Sequence, residues 1–244
     1  MIKMRMNKVK SKILEHEKVM GVIFTHPFHP AIEIIAHMGF DFIHIEGEHG
    51  AWTLRDIEDT CIIANALGLT VHGRVPNIYP STILQFLDRG VQGITGPHIR
   101  NKADAEALVA ACRFTPQGSR SFYMSRPTGY RLPENVPEYM AQANTEIWVT
   151  ALLEDREAIE ENLSDILSVE GLDAVAIGHI DLSQSMGEPG NWKHRKVEQA
   201  MEKAWDQITA AEKAPGRGLV HLASISDFII NGCKDFLLKA NDLS

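Results

Sequence analysis

Cysteine is scarce: Cys61, Cys112 and Cys233 are the only three in 244 residues, and no CxxC pair occurs. An odd, scattered set excludes a disulfide framework and suits a reducing compartment. Long apolar runs are missing as well. No stretch approaches the roughly 18 residues of a membrane span, and no signal-type apolar region follows the basic start, so a soluble cytoplasmic protein is expected. Positive charge is in deficit: 24 Lys and Arg against 32 Asp and Glu leave a net charge of −8, which argues against a nucleic-acid partner, because phosphate contacts need clustered cations. The single basic cluster, Lys3 to Lys12, reads as the solvated face of an N-terminal surface helix. Neither GxGxxG nor GxxxxGK[ST] occurs, so no nucleotide-phosphate loop is signalled.

What is present is alternation. Apolar runs of strand length recur at Val19–Phe24, Phe40–Ile45, Thr70–Val75, Gln92–Thr95, Ile147–Leu153, Asp173–Ile177, Gly218–His221 and Lys234–Leu238. Amphipathic helical patterns such as Leu54–Leu67, Lys102–Cys112, Glu157–Val169 and Lys193–Ala211 lie between them. Eight alternations without a second compositional zone predict an α/β protein, one (β/α)8 TIM barrel domain over residues 1–244. Two departures are expected. Arg113 to Glu146 is punctuated by Pro116, Pro127, Pro133 and Pro137, which predicts a long loop between strands 4 and 5, placed on the catalytic side as a lid or subunit contact. The short tail after strand 8 predicts a reduced or missing eighth helix, its flank covered by the N-terminal helix or a neighbouring subunit.

In parallel α/β folds chemistry is done at the C-terminal edge of the strands. Following each run to that edge collects Glu46, Glu48 and His49, then Arg74, His98, Glu154, His179 and Asp181. Each alone is ordinary, since a Glu can cap a helix and a His can make a structural hydrogen bond. Together they form a site, because several ionised carboxylates at one rim are costly unless paired or metal-bound. Glu154 and Asp181 close consecutive strands, and two hard oxygen donors there predict a divalent cation.

Phe42-Ile-His-Ile-Glu-Gly-Glu-His49, Gly73-Arg-Val-Pro76, Leu87-Asp-Arg-Gly-Val-Gln-Gly93 with Pro97, Phe114-Thr-Pro-Gln-Gly-Ser-Arg120, Leu153-Glu154 and Ile177-Gly-His-Ile-Asp-Leu-Ser183 occur in a distinctive order and spacing. From about Gly21 to Asp242 the chain resembles the HpcH/HpaI aldolases. The resemblance implies a class II, metal-dependent pyruvate aldolase of the 2,4-dihydroxyhept-2-ene-1,7-dioate aldolase type. Its expected reaction is reversible aldol cleavage of a 4-hydroxy-2-oxo acid to pyruvate and an aldehyde through a metal-stabilised pyruvate enolate.

The resemblance also implies roles. Glu154 and Asp181 are expected to hold Mg²⁺, Mn²⁺ or Co²⁺; Arg74 to contact the pyruvate oxygen; and backbone N–H groups around Gly178, Ile180 and Asp181 to take its carboxylate. His49 is the expected general acid/base, oriented by Asp88, with Glu46, Glu48 and His179 around this set. Asp88 precedes strand 4, at the far end of the barrel from His49, so a neighbouring subunit is expected to supply it. That implies a homo-oligomer, trimer or hexamer, with shared active sites. Three positions depart from the family pattern: Glu46 for Asp, His179 for Pro, and Ser121 for Gly beside the expected lid. For His179 a third ligand, a second acid/base and a tolerated loop residue all stay open. Alternative readings are an oxaloacetate decarboxylase or other pyruvate-enolate lyase or synthase, a Schiff-base aldolase using Lys239, and a non-catalytic keto-acid-binding barrel.

Overall fold

The computed structural model describes residues 5–241. Seven strands form one parallel sheet: β1 (Val19–Phe24), β2 (Phe42–Glu46), β3 (Thr70–Arg74), β4 (Gly93–Gly96), β5 (Trp148–Leu153), β6 (Ala174–Ile177) and β7 (Val220–Ser224). Their order is β6-β5-β4-β3-β2-β1-β7, so the sheet curls as a half-barrel in chain order and β7 closes onto β1. Among the described residues eleven α-helices accompany them: α1 (Lys8–Leu14), α2 (His29–His37), α3 (Leu54–Ala66), α4 (Pro80–Arg89), α5 (Lys102–Cys112), α6 (Val136–Glu146), α7 (Arg156–Glu160), α8 (Leu163–Leu167), α9 (His179–Ser185), α10 (Arg195–Ala210) and α11 (Ile225–Asn241). No helix among the described residues is long and apolar enough to cross a membrane.

Strand periodicity decides which side chains meet the helices. Val22 and Phe24, Ile43 and Ile45, and Val149, Ala151 and Leu153 stand two residues apart, and all are fully buried in the main core. Each such aliphatic or aromatic side chain contributes about 1.5–3 kcal/mol by leaving water. Many of the intervening positions are polar, namely His44 and Glu46 on β2, His72 and Arg74 on β3, Thr95 on β4 and Thr150 on β5, while Ile23 on β1 and Leu152 on β5 are apolar. Two glycines make room for rings on this second face. A Cβ at Gly21 would lie 2.3 Å from the Phe42 ring, and one at Gly93 would lie 2.4 Å from the His72 ring.

The N-terminal helix forms as its pattern predicts, but it closes the foot of the sheet and buries Val9 and Ile13 there, where a solvated surface helix covering the flank after strand 8 was expected. Asn7 caps α1 by accepting from Lys10 N–H, and its Nδ2 donates to the carbonyls of Gln92 and Glu146, both at 3.1 Å. Val9 and Ile13 of α1 then pack with Val19, Phe42 and Trp148 in a second apolar cluster.

Three further expectations are corrected. Lys234–Leu238 is not an eighth strand but part of α11, a 17-residue helix that ends the described chain. Its short apolar run lacks the alternation that would mark a strand, and Asp227 near the start with Lys239 near the end suits a helix dipole. Phe236, Leu237 and Leu238 are consequently 72%, 60% and 64% exposed. The long connection after β4 lies at the foot, not on the catalytic side, because α5 carries the chain back before Arg113 begins it. Its side chains reach the ends of α3 and α4: Arg126 donates to the carbonyls of Arg89 and Cys61, and Arg120 pairs with Asp88. Ser121 goes with it, away from the rim. The connection also holds a helix that its prolines concealed. Pro137 sits in the first turn of α6 behind the Asn135 cap, where a missing N–H costs nothing.

Candidate active site

The parallel register does most of the assembly. Glu46 and Arg74 are the last residues of adjacent strands and lie opposite one another, so their side chains meet at the rim. Arg74 Nε donates to Glu46 at 2.7 Å, with the two side chains only 15% and 11% exposed. The other oxygen of Glu46 accepts the N–H groups of Glu48 (3.0 Å) and His49 (3.1 Å). This tightens the turn after β2 and swings Glu48 toward the arginine. Gly50 completes the turn, since a Cβ there would lie 2.1 Å from the Glu46 carbonyl oxygen.

Two further strands contribute. Arg74 Nη1 lies 3.1 Å from Glu48 and 3.4 Å from Glu154, which follows β5 and is 3% exposed. His98, after β4, adopts a left-handed φ of 49° and donates its N–H to Glu154 at 3.4 Å. Its Nδ1 lies 3.2 Å from Asp155, leaving Nε2 3.5 Å from Glu48 and 3.8 Å from Glu154. Glu48, His98 and Glu154 thereby offer one ligand atom each within 4.8 Å of one another.

Charge is unbalanced here. Three carboxylates, Glu46, Glu48 and Glu154, surround one guanidinium. Burial raises the pKa of Glu154 above the usual carboxylate range, opposed by Arg74 and His98 and reinforced by Glu48. One oxygen of Glu48 is buried without a hydrogen bond, its 3.1 Å approach to Arg74 being off the N–H axis. Oxygen donors with one imidazole and an excess of negative charge fit a divalent cation. Deeper in the sheet His44 and His72 are driven down to about 4 and about 3 by burial, so both are neutral and add no counter-charge.

Of the residues read from sequence, Glu46, Glu48, Arg74 and Glu154 converge. His98, noted at the edge but given no role, joins them, and Asp155 beside it was overlooked; its signal was a second acid directly after Glu154. Gly178 is the N-cap of α9, and a Cβ there would lie 2.5 Å from Glu154 Oε1, so the bare backbone rests on that carboxylate. Its N–H is committed to the Leu153 carbonyl at 3.0 Å. Asp181 lies in the first turn of α9, partly exposed, and is not one of the three groups clustered within 4.8 Å. His179 is exposed and packs edge-on against Trp192 with ring centroids 5.1 Å apart. His49 stands at the rim, its side chain 64% exposed and Nε2 3.8 Å from Glu48. Asp88 is at the foot, 3.1 Å from Arg120. A single chain does not bring it to His49.

The profile of the HpcH/HpaI aldolase/citrate lyase family matches residues 20–226. The chain belongs to this family. A similar relative is the 4-hydroxy-2-oxo-heptane-1,7-dioate aldolase of Salmonella paratyphi B, 36% identical over 189 residues that cover 75% of this chain and 69% of that one. Among solved structures, the HpcH/HpaI aldolase of Desulfitobacterium hafniense superposes with a TM-score of 0.84 at 25% identity, covering 97% of both chains. The citrate synthase SbnG superposes with a TM-score of 0.84 at 26% identity, covering 96% of this chain and 97% of that one. This HpcH/HpaI-family chain is therefore an enzyme of the carbon–carbon lyase kind.

Proposed function

We propose that the enzyme reversibly cleaves a 4-hydroxy-2-oxo acid to pyruvate and an aldehyde. The observation that carries this reading is Arg74 held among Glu46, Glu48 and Glu154 at a rim that also bears His49 and His98. In the cleavage direction His49 Nε2 takes the C4 hydroxyl proton and the C3–C4 bond breaks. The aldehyde leaves, and the electron pair moves onto the C2 ketone oxygen. Protonation of C3 then yields pyruvate. Arg74 faces the developing oxyanion with a guanidinium already fixed by Glu46, so little reorganisation accompanies the charge. A positioned base of this sort contributes about 10²–10⁴ in rate.

A divalent cation of the Mg²⁺, Mn²⁺ or Co²⁺ class would supply an electrophile for the ketone oxygen. Glu154 is its central ligand in this reading, with Asp181, Glu48 and His98 as the neighbouring donors. N–H groups of the first turn of α9, at Ile180 and Asp181, suit the pyruvate carboxylate. The curled sheet then serves as a single TIM-type barrel domain, its chemistry at the C-terminal rim like other barrels. Asp88 reaches His49 only from a second copy, in a cytoplasmic homo-oligomer with shared sites. Mixing Asp88→Ala with His49→Ala protein should restore activity through hybrid interfaces; no recovery after proven subunit exchange refutes the shared site.

The decisive experiment follows the pyruvate methyl signal by proton NMR in D₂O. Deuteration is expected with Mg²⁺, Mn²⁺ or Co²⁺, and is expected to vanish in Glu154→Ala and in chelator. Absence of exchange with every cation would remove the pyruvate assignment.

A further inference from the structure

The imidazole of His98 is engaged at both of its nitrogens. Nδ1 lies 3.2 Å from Asp155 Oδ2, while Nε2 points between two carboxylates, 3.5 Å from Glu48 Oε1 and 3.8 Å from Glu154 Oε2. These are not the oxygens that face the guanidinium. Arg74 Nη1 approaches Glu48 Oε2 and Glu154 Oε1, so each carboxylate turns one oxygen to the arginine and the other to the imidazole. Nε2 is too far from either oxygen for an ordinary hydrogen bond, which spans about 2.7–3.2 Å. Donors that share one cation at about 2.0–2.2 Å stand roughly 3–4 Å from one another, and both Nε2 contacts have that spacing.

The surrounding chain holds the imidazole in this place. His98 has a left-handed φ of 49°, a conformation that costs a non-glycine residue about 1–3 kcal/mol and is kept only where its neighbours fix it. Its N–H donates to Glu154 Oε2 at 3.4 Å, which folds the turn over that carboxylate. Asp155 is the N-cap residue of α7 yet makes no side-chain cap. Aspartate is among the best N-caps, and forgoing one costs about 1 kcal/mol. Its Oδ2 instead serves His98 and Arg100, whose Nε lies 3.2 Å away. A carboxylate on one imidazole nitrogen fixes the tautomer that leaves the other free to ligate. A plain ion pair between protonated His98 and the rim carboxylates is the simpler role. It would draw the Nε2 proton onto one oxygen, and Nε2 sits on neither.

We propose, on the reading that the rim holds a divalent cation, that His98 oriented by Asp155 is a nitrogen ligand to it beside Glu48 Oε1 and Glu154 Oε2, and that this ligand makes the site select Co²⁺ or Zn²⁺ over Mg²⁺. Oxygen donors alone suit Mg²⁺, a hard ion that keeps its waters. Imidazole suits the later first-row ions, whose affinity for such donors exceeds that of Mn²⁺. Asp155 touches the imidazole rather than the cation, so it is a positioning residue.

The test measures Mg²⁺, Co²⁺ and Zn²⁺ binding to the metal-stripped full chain by calorimetry, with the visible absorption of bound Co²⁺ as a second readout. His98→Asn removes the nitrogen, and asparagine tolerates the same left-handed backbone. It should lower Co²⁺ and Zn²⁺ affinity by about 10–100-fold and Mg²⁺ affinity by less than about threefold, and should shift the Co²⁺ spectrum. Asp155→Asn should lower Co²⁺ affinity about tenfold, again sparing Mg²⁺, whereas a merely structural role would weaken all three ions alike. Wild-type protein that binds no cation, or binds it equally well as Glu154→Ala, removes the rim-cation reading and the nitrogen ligand together. Binding that needs Glu154 but keeps the same ratio of Co²⁺ to Mg²⁺ affinity in His98→Asn overturns the nitrogen ligand alone. If His98→Asn does not fold, pulsed EPR of the protein loaded with Mn²⁺ decides. Coupling to an imidazole nitrogen that survives in His49→Asn and His179→Asn supports the proposal; coupling that is absent, or lost in either variant, overturns it.

Discussion

Arg74→Gln is the substitution whose consequences follow most directly from the rim. The guanidinium sits within 3.4 Å of Glu46, Glu48 and Glu154, and these three side chains are only 11%, 14% and 3% exposed. Removing the one cation leaves three carboxylates facing each other with little water. Breaking a buried pair in this way costs about 3–5 kcal/mol. Glutamine keeps a donor for Glu46, so the lower end, about 3 kcal/mol, applies. For a chain of this size that corresponds to a fall in melting temperature of about 6–12 °C. The loss is carried by ionised carboxylates, so it should shrink as the pH falls, and Glu154, whose pKa is already raised by burial, should be relieved first. Added Mn²⁺ should recover part of the loss, since a ligand at a hundred times its Kd stabilises by about 2.7 kcal/mol. Thermal unfolding of the variant from acid to neutral pH, with chelator and with Mn²⁺, tests all three statements. A shift below about 2 °C at neutral pH, or the same shift at acid pH, would show that the carboxylates do not repel as the geometry requires.

Other substitutions probe neighbouring links. Glu154→Gln should stabilise the metal-stripped enzyme at neutral pH. With a raised folded pKa, Glu154 contributes below its unfolded pKa and that contribution is lost as the pH rises through the folded one, so the variant's advantage should vanish in acid; an advantage that persists there contradicts the assignment. Gly178→Ala should displace Glu154, which a Cβ would meet at 2.5 Å, and should lower cation-dependent methyl exchange by at least about tenfold while the fold survives; unchanged exchange would show that the carboxylate position is not critical.

Much of the strand layout was legible because its signal is local. Runs of β-branched and aromatic residues bounded by glycine and polar residues mark β1 to β6 within two residues. Helices such as α3 follow the amphipathic pattern read over Leu54–Leu67, and the structure adds a capping box of Thr53 with Asp56 at its start. Local signals failed where two structures share one pattern. Lys234–Leu238 is too short and too apolar for period alone to separate strand from helix, and it continues α11. Prolines 133 and 137 read as punctuation, although one of them starts α6. The side of the sheet on which the long connection lies was misjudged because it depends on which end α5 reaches, a global property.

By itself the sequence determined that carboxylates, histidines and one arginine would gather at the C-terminal strand edge, since strand ends are read from local periodicity and parallel connection sends them the same way. Only the tertiary structure decided which of them touch. Register sets Arg74 against Glu46, the left-handed turn at His98 brings imidazole to Glu48 and Glu154, and Gly178 lays α9 on Glu154. The pairing of His98 with Asp155 was invisible for the same reason. The two residues stand 57 apart in the chain and meet only because β4 and β5 pair side by side.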